Sequence, residues 1–193
     1  MENITNNWFL WFLGVIFAVG FIIELRIFNK WRPNINQNKD GGSLFVVLTA
    51  IFLGLTQLVI LSYRSVSQQT YSFGFSSPIS WLGLIVMIGG FGLRQWSIQT
   101  LKNFFTPMVC LQPNHVLIDR GPYGYIRHPS YLGLIMELFG LGLTLKNILA
   151  AVIILSLLIP AILYRIGIEE KTLIEKFGEV YLNYKKRTKK LLL

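Results

Sequence analysis

The stretch YLGLIMELFGLGLTLKNILAAVIILSLLIPAILYRIGI, residues 131–168, is one long apolar run with a polar break, Lys146-Asn147, near its middle. About 15 residues precede the break and about 20 follow it, and crossing the hydrocarbon core of a bilayer takes about 20 apolar residues. The run therefore reads as a helical hairpin whose first arm is short enough to sit tilted or partly sunk among its neighbours. Working outward, three more apolar segments of near-spanning length lie at 8–26, 43–63 and 79–96. The expected fold is an all-α integral membrane protein of about five transmembrane helices, ending in a helical hairpin. Composition agrees. With 53% of 193 residues hydrophobic, 14% charged and a mean hydropathy of +0.53, a soluble domain has no means of hiding the apolar surface, whereas a bilayer solvates it.

The cations test the helix count. Of the 18 Lys and Arg, only Arg64 and Lys146 fall on one side of the expected topology, and the other 16 share the opposite side. The rule that cytoplasmic loops are rich in Lys and Arg then puts the N-terminus outside and the C-terminus in the cytoplasm. The first run follows Glu2 rather than a basic segment and lacks a small-residue cleavage site, so it reads as an anchor and not a leader. The net charge of +9 is explained by this inside signal and by attraction to anionic headgroups, as in the tail from Lys185 to Lys190, rather than by nucleic-acid binding. One cysteine, Cys110, excludes a disulfide framework and a multi-cysteine metal site. His115 has no companion ligands at metal-binding spacing, so no metal is expected.

The chain divides by texture into a scaffold of three helices, residues 1–95, and a chemical half, residues 96–193. Residues 96–130 are too polar to span yet rich in aromatics, Pro and Gly, and loops of that length without regular structure are usually functional. Within them, Gly121-Pro122-Tyr123-Gly124 forces turns, and Pro129 suits the first turn of the fourth helix. The peptide N–H groups around Ser130, Tyr131 and Leu132 are then expected as free donors at a positive helix end, suited to a carboxylate. Tyr123, His128 and Tyr131 offer aromatic faces for a flat base or a sulfonium cation. Arg165 and Glu169, four apart, share a helix face where the last membrane helix reaches the interface. Ionised groups there suggest a site: Glu169 to accept from a ligand's ammonium, Arg165 to pair with an anionic group. Each feature also has a plain structural reading, as interfacial anchor or snorkelling pair. Glu137, alone inside the fourth helix, reads equally as facing a pocket or as protonated against a neighbour. Leu173, Ile174, Phe177, Tyr181 and Tyr184 recur at helical spacing in the tail, and Gly178 is expected to kink or end that helix.

Taken in order, these clusters resemble the isoprenylcysteine carboxyl methyltransferase family. The motifs are His115-x-Leu117-Ile118, Gly121-x-Tyr123, Arg127-His128-Pro129-Ser130-Tyr131-x-Gly133, Asn147 at the hairpin turn, Arg165-x-x-x-Glu169-Glu170-x-x-Leu173-Ile174, Phe177-Gly178 and Tyr181-x-x-Tyr184. They cover nearly half the chain. The resemblance implies S-adenosylmethionine as cofactor, enclosed on the cytoplasmic side by His115, Val116, Leu117, Ile118, Tyr123, His128, Pro129, Ser130 and Tyr131, with Glu169 at its amino group. It implies Arg165 as the catalytic residue facing the methyl acceptor, a lipid-like or prenylated carboxylate in the bilayer. Two departures stand out: Asn147 is followed by Ile148 where the family often has Pro, and Glu137 stands where eukaryotic members tend to carry a large apolar residue. A phospholipid-amine methyltransferase is the alternative within enzymes, and Arg165 argues against it because a cation repels an amine. A transporter or scaffold is the alternative outside them. Transporters place polar features at the bilayer midplane, whereas here they gather at one face.

Overall fold

The computed structural model describes Ile22, Arg26 and residues 39–67, 77–110 and 116–191. The expected helix at 8–26 therefore lies almost wholly outside the described residues, as does His115. What is described contains five α-helices: α1 (Ser43–Ser67), α2 (Pro78–Leu101), α3 (Pro129–Thr144), α4 (Ile148–Phe177) and α5 (Glu179–Arg187). Short 3₁₀ turns occupy Lys102–Phe104 and Gly121–Gly124. No strand forms among the described residues; a lone parallel bridge pairs Ile126 with Lys189.

Three of these helices, over Ser43–Ser62, Pro78–Phe104 and Ile148–Phe177, are long and apolar enough to cross a membrane. The α3 helix has 16 residues, about 24 Å at 1.5 Å per residue, too short for a hydrocarbon layer of about 30 Å. It forms the short arm of the hairpin expected from residues 131–168. Lys146 takes φ 55° at the turn, and the Asn147 side chain accepts a hydrogen bond from the Ala150 N–H at 3.0 Å, capping α4. At the far end Gly178, with φ 52°, stops α4 and lets α5 turn away, as the sequence predicts.

Packing explains how so short a helix is held. Gly83 and Gly90 on α2 face Gly133 and Gly140 on α3 so closely that a Cβ at Gly90 would lie 2.6 Å from the Gly133 carbonyl oxygen, and one at Gly140 would lie 2.5 Å from the Met87 nitrogen. Small residues let two backbones approach this way where lipid offers no hydrophobic drive to associate. On the other side α1 lies on α4, with Val47, Leu58, Ile154, Leu158, Ile162 and Ile166 among the buried side chains. Phe45, Phe52 and Val59 on α1, and Trp81, Ile85 and Ile88 on α2, point outward and exposed, the surface a bilayer would cover. Trp81 and Trp96 sit near opposite ends of α2, each about half exposed; tryptophans of membrane helices gather at such ends.

Candidate functional site

Where α4 leaves the apolar layer it carries Arg165, Glu169 and Glu170, and every other segment of the site converges on them. A cavity of about 620 Å³ opens there. Leu44, Val47, Ile51 and Leu55 of α1 and Leu134 of α3 line it with apolar side chains, and Tyr123, His128, Ser130, Tyr131, Arg165 and Glu169 with polar ones. Its wall is thus apolar in one part and polar in another.

The polar part is a connected hydrogen-bond network. Arg165, only 4% exposed, donates from Nε to the Tyr131 hydroxyl at 2.7 Å, from Nη1 to Asp40 Oδ1 at 2.7 Å and Ser43 Oγ at 2.9 Å, and from Nη2 to the Pro107 carbonyl. Tyr131 in turn donates to Glu169 Oε2 at 2.9 Å. The His128 ring stacks on that of Tyr131 at 5.7 Å and lies between two carboxylates: Nδ1 is 3.7 Å from Glu169 Oε2 and Nε2 is 3.5 Å from Glu170 Oε1. The Nε2 atom thus faces the buried Glu170 carboxylate, at the long edge of hydrogen-bond range.

Glu169 and Glu170 are neighbours in sequence with different surroundings. Glu169 is one-third exposed on the cavity wall. Glu170 turns to a buried cluster, where Arg127 Nε donates to Oε1 at 2.9 Å and Lys185 Nζ to Oε2 at 2.8 Å. Arg127 also donates to the carbonyls of Lys185 and Thr188, and the Tyr184 hydroxyl donates to the Tyr123 carbonyl at 2.7 Å. The C-terminal segment is thereby fastened beneath the loop that presents Tyr123 and His128. Burial, with the Glu169 charge nearby, pushes the Tyr123 phenol well above its ordinary range, so it stays a neutral hydroxyl.

Of the residues singled out by sequence, Leu117, Ile118, Tyr123, His128, Ser130, Tyr131, Arg165 and Glu169 all line the one cavity. Val116 is 52% exposed and off its wall. Pro129 is buried in the first turn of α3, where its missing N–H costs nothing, and backs the wall instead of lining it. The amides at the α3 start are not all open as expected: the Leu132 N–H donates to the His128 carbonyl at 3.2 Å. Glu137 does reach the cavity, two turns along α3 from Ser130. Sequence reasoning missed Asp40 and the partnership of Glu170. The only signal for Asp40 was an acid just ahead of an apolar helix, in Asp40-Gly41-Gly42-Ser43. Burial works against its ionisation, but the N–H groups of Leu44 and Val109, the Arg165 guanidinium and the Ser43 hydroxyl outweigh it and hold the carboxyl below the usual range.

Three helices long and apolar enough to cross a membrane, around a cavity with both apolar and ionic side chains on its wall, define an integral membrane protein. Comparison with known proteins gives the lineage. Residues 81–175 match the model of the isoprenylcysteine carboxyl methyltransferase family. The Saccharomyces cerevisiae protein-S-isoprenylcysteine O-methyltransferase is 30% identical over 180 residues, covering 86% of this chain and 75% of the yeast one. The Rattus norvegicus enzyme of that name is 35% identical over 198 residues, covering 91% and 70%. A solved structure, that of the eukaryotic intramembrane Ras methyltransferase without a monobody, superimposes with a TM-score of 0.58 at 28% identity over 74% of this chain; the match spans half the length of that chain. The chain belongs to the isoprenylcysteine carboxyl methyltransferase family.

Proposed function

We propose that this protein transfers a methyl group from S-adenosylmethionine to a carboxylate on a lipid-like chain held in the bilayer, in its relatives' case the carboxyl of a C-terminal isoprenylcysteine. The observation that carries the reading is the continuity of the cavity: Val47, Ile51 and Leu55 line one part of it and Arg165 another. An acceptor with an apolar tail and an anionic head fits such a space, and about 620 Å³ lies within the roughly 300–1,000 Å³ typical of ligand pockets.

The residues fit the cofactor. Tyr123, His128 and Tyr131 give aromatic faces that favour a sulfonium cation, and Glu169, on the cavity wall, is a carboxylate for its ammonium. Leu117, Ile118 and Ser130 complete the proposed enclosure with Pro129 behind them, and the family resemblance adds His115 and Val116. The cofactor supplies the electrophile, a methyl group on positive sulfur, and transfer forms an O–CH₃ bond as the S–CH₃ bond breaks. An acceptor carboxylate has no proton to remove, so the protein's work is orientation and exclusion of water. Arg165 is the residue assigned to hold that carboxylate. With the N-terminus outside, as the segregation of Lys and Arg supports, the polar part faces the cytoplasm.

The deciding experiment is calorimetric titration of detergent-purified protein with S-adenosylhomocysteine. Wild type should bind, and His128→Ala and Glu169→Ala should each weaken binding at least about tenfold, a loss of about 1.4 kcal/mol. Absence of binding to protein shown to be folded overturns the reading. A methyl-transfer assay with a farnesylcysteine acceptor then tests the acceptor class.

A further inference from the structure

Arg165 is held by a residue far away in sequence and outside the stretch that the family model matches. Asp40 lies 125 positions earlier, is 4% exposed, and meets Arg165 Nη1 at 2.7 Å. Its carboxylate is itself clamped: Oδ1 also accepts from Ser43 Oγ at 2.9 Å and the Val109 N–H at 3.2 Å, and Oδ2 accepts from the Leu44 N–H at 2.9 Å. Lys39 N–H donates to the Val109 carbonyl at 2.9 Å, so the loop ahead of α1 and the loop after α2 are tied together at this point. Neither oxygen of Asp40 can turn away without breaking several bonds.

The consequence falls on the guanidinium. Of its five N–H groups, one serves Tyr131, two on Nη1 serve Asp40 and Ser43, and one on Nη2 serves the Pro107 carbonyl. One N–H on Nη2 remains among the described contacts. An unpartnered arginine in a dry cavity would grip an acceptor carboxylate with two parallel bonds. It would hold the acceptor tightly and draw off the electron density that must attack the methyl group. With Asp40 beside it the pair carries no net charge, and one N–H is left over from these bonds for an acceptor.

We propose that Asp40 is a positioning residue that aims Arg165 and tempers its charge, so that the acceptor carboxylate is oriented by a single hydrogen bond and keeps its nucleophilicity. This rests on the reading of Arg165 as the residue that meets an acceptor carboxylate. It predicts a pattern opposite to that of a merely structural ion pair. Restoring the full charge of Arg165 strengthens ground-state binding and weakens attack, so kcat should fall while KM holds or falls with it.

The test is steady-state kinetics of Asp40→Asn in detergent or nanodiscs with a farnesylcysteine acceptor, alongside S-adenosylhomocysteine binding to confirm a folded cofactor site. The expected result is kcat down at least about tenfold, KM for the acceptor unchanged or lower, and S-adenosylhomocysteine affinity within about threefold of wild type. If Asp40→Asn does not fold, Ser43→Ala, which loosens both partners, decides by the same criterion with a kcat loss of about threefold. A raised KM, or wild-type kcat, overturns the proposal. Failure of wild type itself to methylate the acceptor strikes the functional reading instead, so the two failures are distinguishable.

Discussion

Glu169 and Glu170 differ by one position and a turn of about 100° on α4, and that rotation separates the proposed cofactor contact from a structural one. Glu170 is 6% exposed and bonded to Arg127 and Lys185. Its replacement by Ala leaves Arg127 buried without its carboxylate. Breaking a buried pair in this way costs about 3–5 kcal/mol, and the low end applies because Arg127 keeps its bonds to the Lys185 and Thr188 carbonyls. Glu170→Ala should therefore lower stability by about 3 kcal/mol in detergent denaturation, while Glu169→Ala should change it by less than about 1 kcal/mol and lose cofactor affinity. Equal destabilisation by both would contradict the division. The sequence made Arg165 and Glu169 legible as a pair, because a four-residue spacing fixes a shared helix face. It gave no way to see that Asp40 would be the partner of Arg165, since a contact across 125 positions depends on how α1 is laid against α4. Nor could spacing say which of two adjacent glutamates would face the cavity and which would turn to the tail.

At the scale of elements, the hairpin was legible throughout. The polar break at Lys146-Asn147, the shortness of its first arm and the stop at Gly178 all follow from local chemistry, and the structure shows each. The α2–α3 contact was not, although its residues are seven apart on both helices: Gly83 and Gly90, Gly133 and Gly140. A glycine in an apolar helix is equally consistent with lipid contact, and only the facing backbone decides. Gly92 shows the difference, since it lies on the same helix as Gly90 and is exposed, with nothing near where a Cβ would stand. Gly90→Ala should destabilise by at least about 1–3 kcal/mol, because the clash is with the backbone of α3 and no side chain can yield. Gly92→Ala should stabilise by about 0.5–1 kcal/mol through helix propensity. Thermal unfolding in one detergent distinguishes them, and shifts of the same sign would refute the close-packed seam.

Across the whole molecule, the basic tail turns out to have two uses. Its cations count toward the charge asymmetry from which the sequence argues an orientation, and the structure gives several of them particular partners. Lys185 meets Glu170, Arg187 meets Asp119, and Lys189 exchanges backbone hydrogen bonds with Tyr125 and Arg127. The segment is a strap across the loop that carries the proposed cofactor residues, so releasing it should release the site. Tyr184 offers a way to do so with pH. Burial chiefly, with Asp119 adding to it against Arg127 and Arg187, pushes its phenol up to about 12, above the ordinary value near 10. A group whose pKa is raised by folding contributes stability that is fully present below the unfolded value and is lost as pH rises through the folded one. Wild type should thus lose up to about 2–3 kcal/mol between pH 10 and 12 from this group alone. The comparison that isolates this phenol is with Tyr184→Phe. That variant should be less stable by about 1 kcal/mol at neutral pH, having lost the bond to the Tyr123 carbonyl, and should decline less steeply above pH 10. S-adenosylhomocysteine affinity, followed over the same range, should fall with the strap before the helices unfold. Parallel alkaline profiles for wild type and Tyr184→Phe would show that the tail is held by its cations and not by this phenol.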